Sequence, residues 1–126
     1  MPLPATMSSG TTVQSGGGSV VLSQSGFDLN VNGNATDVLT LQSQISASVQ
    51  ITAETGSATS FIGALQGSLD GIVWETVSTK GNLGIGIDSN TATVDIYRYL
   101  RVVVTTPNGA PLTARVTILA KMTVTP

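Results

Sequence analysis

The chain has 126 residues, 40% of them apolar and 10% charged, with a formal net charge of −2. That length holds one domain, and so weak and scattered a charge leaves no electrostatic footprint for nucleic acid. Cysteine and histidine are both absent, which removes disulfides, the usual zinc sites, Ser-His-Asp and Cys-His nucleophiles, and the commonest general base near neutral pH, so no cofactor is expected.

The chain opens Met-Pro-Leu-Pro-Ala-Thr, with neither the basic start nor the apolar run of a signal peptide. No stretch approaches the roughly 18–20 apolar residues of a membrane helix. These features predict a protein made in the cytoplasm with no membrane partner. Residues 1–18 are rich in Pro, Ser, Thr and Gly and end in a glycine triplet. They show neither a period of two nor one of 3.6, which predicts a flexible N-terminal arm ahead of a domain spanning 19–126. Leu3, Met7 and Val13 are the apolar anchors by which such an arm would bind a neighbouring subunit. Ordering it would cost about 1–2 kcal/mol of backbone entropy per residue, so the partner surface would have to be extended.

From Ser19 onward the pattern is that of strands. Ser19–Ser23, Phe27–Val31 and Asp37–Gln42 are short candidates, and Ile45–Ala53 alternates strictly, with Ile45, Ala47, Val49 and Ile51 apolar between polar residues. Phe61, Leu65 and Leu69 continue the alternation across Gly63 and Gly67. Asp70-Gly71 then offers the positive φ angles of a tight hairpin, which predicts Leu69 and Ile72 on opposite sides of one turn and Trp74 in the returning strand. Trp74 is the only tryptophan. Burying it would contribute about 4–6 kcal/mol, so Leu69, Asp70, Gly71, Trp74 and Tyr99 are read as a hairpin and core cluster. Leu83–Ile87, Ala92–Ile96 and Arg98–Thr106 follow, and Asn108-Gly109 predicts a second tight hairpin. The last strand has the cleanest period, with Leu112, Ala114, Val116, Ile118 and Ala120 on one face. Eight or nine short strands separated by turn signals predict an all-β antiparallel sandwich, with jelly-roll and Ig-like connectivity both open.

Few residue sets suggest chemistry. Asp28-Leu-Asn30-Val-Asn32-Gly33 opens like a calcium loop, but Leu39 stands where the bidentate Glu is needed, which favours a turn over a metal site. The carboxylates Asp70 and Glu75 lie across one hairpin, yet Asp70 is the natural turn residue, so no catalytic pair is expected and the chain is read as a non-enzyme. Tyr97, Tyr99, Arg98 and Arg101 could contact a sugar or a carboxylate, although only Trp74 would join them as a stacking surface.

Ser68-Leu69-Asp70-Gly71-Ile72-Val73-Trp74, followed by Arg98-Tyr99-Leu100-Arg101-Val102, resembles a pattern in small β-sandwich structural proteins of tailed bacteriophages. It is also similar to the second half of discoidin-type carbohydrate-binding modules. The phage resemblance implies a capsid cement or decoration protein on the virion surface, a homo-oligomer (dimer or trimer) that binds the major capsid protein. The discoidin resemblance implies, as the alternative, a carbohydrate-binding module of a tail fibre or adhesin.

Overall fold

The computed structural model describes residues 10–56, 61–78, 85–87 and 92–122. Among them ten β-strands and no helix are found: β1 (Thr11–Gly16), β2 (Ser19–Asp28), β3 (Leu39–Thr40), β4 (Ser46–Thr55), β5 (Ile62–Ser68), β6 (Glu75–Thr76), β7 (Gly86–Ile87), β8 (Ala92–Thr93), β9 (Tyr99–Thr106) and β10 (Thr113–Lys121). They form two antiparallel sheets. One has the order β1-β2-β10-β4, with β7 and β8 both along the outer side of β4, and the other has the order β3-β9-β5-β6. The all-β sandwich expected from the period-two pattern is therefore present.

Its connectivity is that of a jelly roll. β5 and β6 pair as the end of a long folded ribbon; further out along that ribbon β4 pairs with β7 and β8, β3 with β9, and β2 with β10. Successive pairs lie in alternate sheets, so the ribbon is rolled around the core rather than laid flat. The resulting strand order, β2-β10-β4-β7 against β3-β9-β5-β6, excludes an Ig-like arrangement.

β10 shows why the roll is stable. It lies between β2 and β4, and its even-numbered residues Ala114, Val116, Ile118 and Ala120 are all fully buried. Leu22, Val49 and Ile51 pack with them from the same sheet, and Leu65, Leu100, Val102 and Val104 belong to the same cluster from the facing one. Alternation places every second side chain inward, so one uninterrupted apolar set suffices for each central strand. β2 is one strand where two short ones were expected. An extra residue is absorbed where Ala114 pairs with Phe27 but Val116 pairs with Gln24, and Gly26 sits at φ +68° in that bulge.

Three further expectations are corrected. Within the predicted arm, Thr11–Gly16 is strand β1, paired with β2 through an unbroken register from Thr11↔Gln24 to Gly16↔Ser19. The glycines responsible for the loose appearance form the turn: Gly17 and Gly18 lie at φ +61° and +84°, as a two-residue primed turn requires. Leu3 and Met7 lie outside the described residues. Asn108-Gly109 is not a hairpin, because β9 pairs within one sheet and β10 within the other. It carries the chain between sheets: the Asn108 N–H donates to the Leu29 carbonyl at 3.0 Å, and the Gly109 N–H to Asn30 Oδ1 at 2.8 Å. Finally, Leu69 is exposed, Trp74 and Tyr99 are half-buried, and none of the three belongs to the core cluster. The core is aliphatic, filled by the leucines, valines and isoleucines of the central strands together with Phe27 and Phe61.

Candidate functional site

The segment after β5 is a loop built by side chains, not the tight Asp70-Gly71 turn. Gly67 pairs with Glu75, so the residues from Ser68 to Trp74 all lie between the paired positions. Ser68 is buried, and its Oγ accepts the N–H groups of Asp70 at 3.3 Å and Gly71 at 2.8 Å while donating to Asp70 Oδ1 at 3.1 Å. Asp70 Oδ1 also accepts the N–H groups of Ile72 at 2.8 Å and Val73 at 3.0 Å. Gly71 supplies the left-handed step at φ +80°. One serine and one aspartate thus satisfy four successive backbone donors that no strand reaches. The N–H of Val73 and then that of Ile72 hold the Asp70 carboxyl below its ordinary value, with burial opposing and Ser68 assisting.

The loop presents aliphatic side chains to solvent. Leu69, Ile72 and Val73 are 65%, 79% and 67% exposed, and Ile96, from the turn before β9, is 65% exposed. A cleft of about 450 Å³ opens beside them, lined by residues that include Leu69, Asp70, Val73, Glu75, Ile96 and Tyr97. Tyr97 forms its firm wall. Its ring lies against the bare backbone of Gly67, where an added Cβ would fall 2.5 Å from the ring Cγ. Its hydroxyl donates to Glu75 Oε1 at 2.9 Å. Burial, then the bond to Glu75 and its charge, raise the Tyr97 hydroxyl above its ordinary value.

Trp74 closes the loop on the side of β9. The Arg101 guanidinium carbon sits 4.2 Å from the centre of the Trp74 ring, and Arg101 Nε donates to Gln66 Oε1 at 2.9 Å. Burial lowers the Arg101 value. One face of the indole is therefore covered by a cation. Tyr99 lies beneath the loop, its ring carbons 3.8 Å from where a Gly71 Cβ would stand, and the Arg98 guanidinium is 6.0 Å from that ring.

The structure thus brings together the sequence-selected Leu69, Asp70, Gly71, Trp74 and Tyr99, in a surface loop rather than a core hairpin. Val13 lies on β1, at the edge of the other sheet. Ile96 and the packing of Tyr97 on Gly67 were not legible beforehand, because both depend on a turn that approaches β5 only in three dimensions. The signal available was Gly67 itself, a bare position in an otherwise regular strand.

In the calcium-like run, Asp28 Oδ1 accepts the Asn30 N–H at 2.8 Å and Asn30 Oδ1 accepts the Gly109 N–H. Those oxygens hold backbone. Among the described residues no group of three or more His, Cys, Asp or Glu could hold a metal ion. Of the two carboxylates at the hairpin, Asp70 Oδ1 accepts the loop's Ile72 and Val73 N–H groups and Glu75 Oε1 accepts the Tyr97 hydroxyl.

No protein-family model, curated protein or solved structure matches this chain.

Proposed function

We propose that this chain is a non-enzymatic virion structural protein, a cement or decoration protein that docks on the major capsid protein shell of a tailed phage through the loop Leu69–Val73 and Ile96. The observation that carries the reading is the hydrogen-bonded loop: Ser68 and Asp70 hold a frame that presents the aliphatic side chains of Leu69, Ile72 and Val73 to solvent. A frame that is ordered before contact loses little entropy on docking, and fully burying each aliphatic side chain contributes about 1.5–3 kcal/mol. Jelly rolls recur in viral capsid and lectin domains, which agrees with the resemblance of the Ser68–Trp74 and Arg98–Val102 motifs. Several copies on one shell would add avidity without new contacts.

The test has two parts. Quantitative mass spectrometry of purified particles from the source should give a copy number that is a simple fraction of the shell protein. Ile72→Glu and Val73→Asp should then abolish binding to bare shells while leaving thermal unfolding unchanged. Absence from particles, or undiminished binding by both variants, would overturn the proposal. The cleft beside Tyr97, Glu75 and Asp70 favours one alternative, the carbohydrate-binding module of a tail fibre or adhesin. That reading predicts a few copies per particle and glycan binding lost in Tyr97→Ala.

A further inference from the structure

Sheet edges offer rows of unpaired N–H and C=O groups, and proteins blunt them with short strands, bulges, prolines or charges. Among the described residues three of the four edges of this sandwich follow the rule: β3, β6 and the β7/β8 line consist of strands of two residues each. β1 departs from it. It runs for six residues, Thr-Thr-Val-Gln-Ser-Gly, with no proline, no charge and no shift in register, and it is exposed along nearly all its length. Among the described residues nothing pairs with its outer side.

The turn fixes which groups face outward. Gly16 and Ser19 flank a two-residue primed turn, so they are a hydrogen-bonded pair, as are Gln14↔Val21 and Thr12↔Ser23. The main-chain groups of Thr11, Val13 and Ser15 therefore point away from β2. Val13 pairs with Leu22, which is fully buried, so its side chain is on the inner face of the sheet; it is nevertheless 46% exposed. β1 overhangs the core.

We infer that β1 is a self-association edge, and that its occupant is β1 of a second copy of this chain, antiparallel about a two-fold axis through Val13. In that register Val13 faces the partner's Val13 and Thr11 faces the partner's Ser15, and each facing pair exchanges two main-chain hydrogen bonds. β1 itself carries no charge, which matters because a two-fold axis sets every charge near it against its like; the Asp37 carboxylate, which accepts the Thr11 hydroxyl at 2.7 Å, sits at the end of the strand and not at Val13. The two Val13 side chains meet on the same face and cover one another's exposed surface. Pairing consumes both edges, so the assembly closes as a dimer rather than growing into a fibre. This inference is independent of what the Leu69–Val73 loop binds.

The test is sedimentation equilibrium of the full chain, alongside Val13→Pro, which removes the central outward donor without a bond to β2, and Val13→Lys, which keeps the donor and places like charges face to face. The expected result is the mass of two chains for the parent protein and of one chain for both variants, with thermal unfolding still cooperative. Hydrogen exchange at the amides of Thr11, Val13 and Ser15 should be slow in the parent and fast in Val13→Lys. A parent protein that stays monomeric at its highest soluble concentration would overturn the inference. So would folded variants that remain dimeric, which would place the contact on another surface.

Discussion

At Asp70 a single carboxylate oxygen, Oδ1, accepts the N–H groups of Ile72 and Val73 and the hydroxyl of Ser68. Those donors favour the charged form and hold the carboxyl below the ordinary aspartate value. By linkage the unfolded chain takes up the proton first, so this contribution to stability is full well above the ordinary aspartate value and is lost as pH falls through the lower folded one. Titrating the Ile72 and Val73 amide signals by NMR should give a midpoint below the ordinary aspartate value. A midpoint at or above it would remove Asp70 as the loop's organiser. The same experiment on Ser68→Ala should move the midpoint upward, since one donor is gone.

Among the elements, β10 and the Ser68–Trp74 loop differ in what a truncation costs. Ile118 is fully buried at the centre of the larger sheet, so Ile118→Ala should cost about 2–5 kcal/mol through lost burial and the cavity left behind. Trp74 is half-buried beneath Arg101. Removing its ring forfeits partial burial and a cation–π contact of about 0.5–2 kcal/mol, so Trp74→Ala should lower the denaturant midpoint less than Ile118→Ala. Urea titrations of the two variants decide this, and a Trp74→Ala loss as large as that of Ile118→Ala would put the indole back into the core. Arg101→Ala should shift Trp74 fluorescence, because the indole then faces water where it faced a guanidinium.

For the whole molecule, the rolled ribbon makes sheet neighbours of residues far apart in the chain: Asp28 pairs with Thr113, and Ile62 with Thr106. Closing such loops costs entropy before any contact is made, so refolding is expected on the millisecond-to-second scale of all-β domains. One apolar cluster joins both sheets, which predicts a single unfolding transition seen alike by Trp74 fluorescence and by circular dichroism. Microsecond refolding, or two separated transitions, would contradict that account. The self-association of β1 belongs at this scale too, since it adds a concentration dependence to the melting temperature that a monomer lacks.

Period two was written plainly wherever a strand has one dry face. β4 and β10 are recognisable from residues such as Val49 and Ile118, because alternation is a local property of a pleated backbone. The sandwich class followed from the number of strands. Pairing partners were beyond reach, since Asp70-Gly71 and Asn108-Gly109 carry the same turn chemistry although one lies in a loop within a sheet and the other joins two sheets. The glycine triplet likewise made Thr11–Gly16 look unstructured, when Gly17 and Gly18 are the turn that folds it onto β2. The size of Trp74 and its place after the Asp70-Gly71 turn point to the core. Its position under Arg101 arises from the register of β5 with β6 and β9. Alternation says which residues can face inward; which of them find an opposite sheet to cover them is settled only when the ribbon is rolled, and that choice left Leu69, Ile72 and Val73 at the surface.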